Sequence, residues 1–303
     1  MNIAFVQSGG RAMAILENNN IMTSLSKLSV FFAAAALVAC SGLPTGPSPS
    51  TPSSTAVAAF VKTTEVKSVL WVGNSFFYYN NSMHGHVGRL LGAAGGKGFM
   101  AVSATISGSG INWHDLESHF KPGAVGSYSF TGDNDVRFNN RPGKLFDAVM
   151  MMDCSQCPVH RDLAPIFHEY AKKHSATVRQ HGAEPVFFMS WAYSDRPEMT
   201  GLLAAAYIQA GRANNALVVP AGLAFARSVQ QRPELSLVID DKRHPSLLGT
   251  YLAACTVMAS VYRQNPVGNP YTAGLPADVA AHLQVIAWET AQVFHAREGR
   301  GSL

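Results

Sequence analysis

Residues Val69–Ser82 read VLWVGNSFFYYNNS. Four apolar residues in a row are the mark of a strand buried on both faces, and Gly73-Asn74-Ser75 then breaks the run with turn-forming residues. A crowded block of aromatics and asparagines follows. A strand that ends on a small hydroxyl residue, with a helix opening behind it, is a way of presenting that hydroxyl at the mouth of a sheet. Taken alone, Gly-Asn-Ser is also an ordinary Asx turn, so the motif needs partners before it means chemistry.

Outward from this segment, short apolar runs alternate with helical patterns. The spacing predicts strands at Ser68–Val72, Phe99–Ile106, Ala148–Asp153, Pro185–Trp191 and Leu217–Pro220. Met83, Val87, Leu90, Leu91 and Ala94 recur at helical spacing behind a Ser82 cap, and Leu163, Phe167, Tyr170, Ala171 and Val178 do the same. Further helices are predicted over Thr200–Asn214, Ser246–Arg263 and Pro276–His295, with Pro245 and Ser246 opening the second of these. The alternation implies an α/β fold: a parallel sheet of about five strands between two helical layers, with functional groups gathered at the carboxyl ends of the strands.

Composition bounds the rest. The 303 residues are 47% hydrophobic and 14% charged, enough to bury a substantial core. The formal net charge is +4 and no long Lys/Arg cluster occurs, so a nucleic-acid partner has no support.

The amino terminus reads as a targeting device. After Met22, Lys27 precedes a short apolar run, Leu28–Val38, which ends in Leu37-Val38-Ala39-Cys40. The run is too short for a comfortable membrane-spanning helix. It resembles a bacterial lipoprotein signal, and Met22 is then the expected start. The resemblance implies cleavage before Cys40, lipid on Cys40 and, with non-acidic Ser41 next, an outer-membrane destination facing periplasm or surface. An ordinary secretory signal is the alternative. Residues 41–56, SGLPTGPSPSTPSSTA, form a Pro/Ser-rich tether, which leaves 57–303 as one folded domain.

Near the other end, LVIDDKRHPSLLGTYLAAC sets Asp241 and His244 three residues apart in a loop entering a helix. That spacing lets a carboxylate reach round to an imidazole whose other nitrogen faces a third group. A capping aspartate beside a surface histidine is the structural alternative. Asp240 is an adjacent competitor for the carboxylate.

Together, VLWVGNSF, SATISGSGIN, DAVMMMDCSQ and DDKRHPSLLGTYLAA resemble, in order and spacing, the four blocks of the SGNH or GDSL-type hydrolases. The resemblance implies a flavodoxin-like three-layer fold and a carboxylic ester hydrolase; with the leader, the expectation is an exported enzyme acting without cofactor or metal. Ser75 is the implied nucleophile, His244 the general base and Asp241 its orienting partner. The expected substrate is a short acyl ester, such as O-acetyl on a carbohydrate; a surface lipoprotein keeping the fold as a binding module is the alternative. The implied oxyanion donors are the amides of Ser75 and Gly108, with Gly110 as the second choice for the latter, and a third donor from the block after the third strand. There the family's Gly-x-Asn-Asp is missing. Counting from Asp147 brings Gln156 to the asparagine's place, on a longer stem.

Cys154 and Cys157, in Cys-x-x-Cys spacing, follow the third strand rather than opening a first βα unit. They read as a local disulfide or two free thiols instead of a redox pair. Cys255, on an apolar face with Tyr251, Leu252 and Met258, reads as a core thiol. His84, His86, His114, His119, His160, His168 and His174 show no metal-ligand spacing, and GAAGGKG lacks the ending of a phosphate loop. Phe76, Phe77, Tyr78, Tyr79, Trp113, Trp191 and Tyr193 fall near predicted strand ends, as a sugar or acyl site or as core.

Overall fold

Seven strands and seven helices build the domain in a computed structural model, which describes residues 66–121, 128–132, 135–138 and 143–298. The signal region with Cys40, the 41–56 tether and the start of the domain at Val57 lie outside the described residues. The elements run β1 (Ser68–Gly73), α1 (Ser75–Tyr78), α2 (Met83–Ala93), β2 (Met100–Thr105), β3 (Tyr128–Gly132), β4 (Asp135–Phe138), β5 (Ala148–Met151), α3 (Ala164–Gln180), β6 (Glu184–Phe188), α4 (Met199–Ala213), β7 (Leu217–Val219), α5 (Ala221–Gln231), α6 (Leu247–Val261) and α7 (Ala277–Arg297).

Five strands pair in the order β2-β1-β5-β6-β7, all in parallel. β3 and β4 form a separate antiparallel hairpin, which matches none of the predicted strands. The alternation of side chains along a strand divides the core in two. Val69 and Trp71 of β1, Met150 of β5 and Phe188 of β6 pack with α2, α5, α6 and α7. Leu70, Val72, Met151 and Phe187 point the other way, against α3 and α4. Both faces are covered, which is why these strands read as unbroken apolar runs.

Three local expectations change. Ser82 precedes α2 with φ +67, outside the extended backbone typical of a capping residue, and makes no capping hydrogen bond. Ser246 does cap α6, accepting from the Gly249 amide, but it and Pro245 lie ahead of the first turn rather than in it. α6 is buried on every side from Gly249 to Val261, so Cys255 belongs to no single apolar face; burial pushes its thiol pKa up.

The sheet order places the site. The chain steps from β1 to β2 on one side, then crosses back to set β5 on the other. In sheets of this kind such a reversal marks the crevice where ligands bind, and here the loops after β1, β2 and β5 are joined at that point by hydrogen bonds.

Candidate active site

Ser75 is the first residue of α1 and is only 6% exposed. Asn74 caps the helix: its Oδ1 accepts from the Phe76 amide at 3.2 Å. The Asx turn is therefore real, and it also does more. Asn74 Nδ2 donates to the Ser109 carbonyl at 3.0 Å and to the Asp153 carbonyl at 3.1 Å, tying the loops after β2 and β5 to the end of β1. The sequence motif marks Ser75 alone as a site residue; the place of Asn74 directly beside it is the signal for this second role.

Across 169 residues of chain, Ser75 Oγ lies 2.8 Å from His244 Nε2. His244 Nδ1 lies 2.5 Å from Asp241 Oδ2, while Asp241 Oδ1 accepts from the Arg243 and His244 amides, each at 2.9 Å. An ionised carboxylate only accepts, so Nδ1 carries the imidazole proton, and Nε2 is left to accept from the serine hydroxyl. Burial pushes the Asp241 carboxyl up, but the hydrogen bonds from His244 and from the two amides outweigh it and hold the pKa below the usual carboxylate value. Asp240 instead lines a neighbouring cleft of about 570 Å³, behind the loop, with Phe225, Val229 and Leu237.

Aromatic packing fixes the imidazole. Tyr79 stacks on it and Phe76 meets it edge-on, at centroid distances of 4.5 and 5.5 Å. Phe76 in turn stacks on Trp191, which stacks on Phe225. Trp191 Nε1 donates to the Arg243 carbonyl at 2.9 Å, so the same stack carries the histidine loop. Phe76, Phe77, Trp191 and Tyr193 are buried, whereas Trp113 is 61% and Tyr78 36% exposed. The aromatics thus divide between core and surface.

The asparagine-rich turn behind Tyr79 is strained. Asn80, Asn81 and Ser82 have φ of +54, +65 and +67, a region that asparagine tolerates better than most residues. The turn is held by Asn80 Nδ2, which donates to the Pro245 carbonyl at 2.9 Å and to Thr250 Oγ1 at 2.8 Å, and by His86 Nε2, which donates to the Asn80 carbonyl. Tyr79 is thereby clamped to the segment that carries His244.

Gly108 and Gly110 are glycine for different reasons. Gly108 has φ +69 on an exposed turn, and a Cβ there meets nothing within 4 Å. Gly110 is the crowded one: a Cβ would lie 2.7 Å from Asn112 Oδ1 and 3.1 Å from Asp153 Oδ1. Gln156 is half-buried in the loop after β5, at the start of the 3-10 turn Cys157–Val159, and makes no cap with its side chain. Cys154 and Cys157 are joined by a disulfide around it. Ser155 Oγ lies 2.7 Å from the Tyr193 hydroxyl, and the Arg243 guanidinium covers the Tyr193 ring at 4.7 Å.

Beneath this rim, Ser109 Oγ donates to the Gly73 carbonyl and accepts from His114 Nε2, both at 3.1 Å. Burial, with lesser effects from His119 and His174, pushes the His114 pKa down to about 4. Among the described residues, no group of three or more His, Cys, Asp or Glu side chains is gathered to hold a metal ion.

No protein-family model matches this chain, and no curated protein matches its sequence. Solved structures do resemble it. A DUF4886 family protein from Bacteroides uniformis superposes with a TM-score of 0.55 at 16% identity, over 79% of this chain and 98% of its own. A protein designated a GDSL-like lipase, from Parabacteroides merdae, gives 0.50 at 12% identity, over 68% of this chain and all of its own. At such identities the likeness is one of fold: the three-layer α/β architecture of the GDSL-like hydrolases. On that fold this chain brings a serine, a histidine and an aspartate into one hydrogen-bonded series.

Proposed function

We propose that residues 57–303 form a serine esterase in which Ser75 is the nucleophile, His244 the general base and Asp241 the residue that orients it. The observation that carries this reading is the continuous series from Ser75 Oγ through both His244 nitrogens to Asp241, at 2.8 and 2.5 Å. A serine hydroxyl is a weak nucleophile until a neutral imidazole takes its proton during attack. Ser75 Oγ adds to the ester carbonyl as its proton passes to Nε2. The tetrahedral oxyanion then collapses, the alkoxide leaves with the proton from Nε2, and an acyl-serine remains. Water, deprotonated by the same nitrogen, releases the acid and restores Ser75. Asp241 fixes the tautomer and stabilises the transient imidazolium.

For the oxyanion we assign the backbone amides of Ser75 and Gly108 and the side-chain amide of Gln156, on the three loops that meet at the crevice. The substrate we propose is a short acyl ester, such as an acetyl group on a carbohydrate. What supports it is the resemblance of Leu28–Cys40 to a lipoprotein signal and the exposed ring of Tyr78, which stacks on Tyr79 beside His244 and is a flat surface suited to a sugar face. We place the enzyme in the bacterial cell envelope, held by lipid on Cys40 and facing periplasm or surface. Cys40→Ser should then leave the protein uncleaved or release it from the membrane fraction. A soluble wild-type protein with no lipid mass would remove the anchor and leave the chemistry standing.

The deciding experiment is labelling with a fluorophosphonate, followed by hydrolysis of aryl esters of increasing chain length beside acetylated glycans. Ser75 should carry the label, and Ser75→Ala should lose both label and turnover. Labelling that persists in Ser75→Ala removes the serine from this role.

A further inference from the structure

Asp153 is a carboxylate that the reaction as written does not use, yet it stands at the join of the loops that form the crevice. It is 2% exposed. Its Oδ1 accepts from the Ile111 amide, in the loop after β2, and from the Cys154 amide, in the loop after β5, each at 2.8 Å. Its backbone carbonyl accepts from Asn74 Nδ2, and its own amide donates to the Tyr207 hydroxyl of α4 at 3.3 Å. Gly110 packs so close that a Cβ there would lie 3.1 Å from Asp153 Oδ1. One side chain thus fixes the distance between the turn that carries Gly108 and the turn that carries Gln156.

We infer that Asp153 is a positioning residue, whose carboxylate holds the loops after β2 and β5 in register so that their donors meet the oxyanion. This rests on the esterase reading. The cost of burying such a group argues that it is kept for more than stability: burial pushes its pKa up to about 6, against the opposing pull of the Ile111 and Cys154 amides. A carboxylate with no function at this position would be replaceable by an apolar residue.

A register set by Asp153 matters chiefly in the transition state, when the oxyanion exists, so its loss should lower kcat and spare KM. Asp153→Ala, which frees both amides, is expected to lower kcat by roughly 30-fold or more with KM within about twofold. Asp153→Asn keeps an acceptor and the shape and is expected to recover part of that loss; it also serves if Asp153→Ala does not fold. Gly110→Ala pushes on the same contact from the other loop. Its effect should not add to that of Asp153→Ala, since residues acting through one contact couple.

Every kcat is divided by the number of sites titrated with a fluorophosphonate, which separates misfolded from misaligned protein. A purely structural aspartate would lower the titrated fraction and the melting temperature but leave kcat per titrated site within about twofold of wild type, and that result would overturn the inference. Additive losses in Gly110→Ala and Asp153→Ala would do the same. Failure of wild-type protein to titrate at Ser75 is a different outcome, and it removes the esterase reading and this inference together.

Discussion

Tyr79 lies nearly flat on His244, with ring centroids 4.5 Å apart and planes 12° from parallel. The tyrosine is held by a strained turn whose Asn80 reaches the carbonyl of Pro245, the residue after His244. A stacked pair of this kind is worth about 0.5–1.5 kcal/mol, so Tyr79→Ala should lower kcat by a factor of about 2–12 through a less ordered imidazole. Steady-state kinetics on an aryl ester check this. An unchanged kcat would mean that Asp241 and Phe76 hold the ring without it.

Asp241→Asn replaces the acceptor at His244 Nδ1 with a group able to donate, which favours the wrong tautomer. In serine triads that error costs on the order of 10⁴ in kcat, and a similar loss is expected here. In wild type, His244 and the two amides hold the Asp241 pKa low despite burial, so the carboxylate stays ionised throughout the range in which a histidine base works. The acid limb of the rate profile should therefore not come from Asp241. A loss of under tenfold in Asp241→Asn would point to Asp240 as the working carboxylate.

Gln156 tests the departure from the family's asparagine. Gln156→Ala should lower kcat by on the order of 10²–10³ with little change in KM, because the bond forms chiefly in the transition state. Gln156→Glu, which sets an acceptor and a negative charge against the oxyanion, should be at least as harmful. A kcat within about threefold of wild type in Gln156→Ala would hand the third position to another donor, with Ser155 next in the same turn.

The Cys154–Cys157 bridge encloses that turn. Closing so short a loop stabilises the native state by about 2 kcal/mol in the chain-entropy account, so reduction should lower the melting temperature by several degrees. The effect on kcat should be milder than that of Gln156→Ala, since the amide is loosened and not removed. Calorimetry and kinetics with and without dithiothreitol measure both. Complete loss of turnover on reduction would assign the bridge a chemical role.

Asp153 should leave its mark on stability against pH. Burial raises its folded pKa to about 6, from a usual carboxylate value near 4. Between these values the native state binds more protons than the unfolded chain, so this group's contribution to stability is largest at low pH and is lost as pH rises through about 6. Asp153→Asn removes that dependence. Relative to wild type, the variant should gain on the order of 2 kcal/mol between pH 4 and pH 7. Denaturant unfolding of both proteins across this range reads it directly, and parallel curves would contradict it.

These sites were not equally legible. Four of the sheet strands and most helices could be read because burial on both sheet faces writes apolar runs and helix packing writes a periodic stripe; β2, a half-exposed edge strand, carries the weaker run MAVSAT. α5 is not among the predicted helices: its buried stripe is Ala221, Gly222, Ala224, Phe225 and Ser228, in which Phe225 is the one large apolar residue. The β3–β4 hairpin stands outside the main sheet and takes no part in its pattern. Asp241 and His244 were legible as a pair, because three residues of loop already bring a carboxylate to an imidazole. That local geometry is all such a spacing dictates. Only the folded chain sets Ser75 against His244, since their hydrogen bond spans 169 residues and depends on the sheet order that gathers the loop ends. The same holds for Asp153, which reads in sequence as the end of an apolar run. Its partners Asn74, Ile111 and Tyr207 come from three distant segments, and no local spacing encodes contacts that arise only when those segments pack against one another.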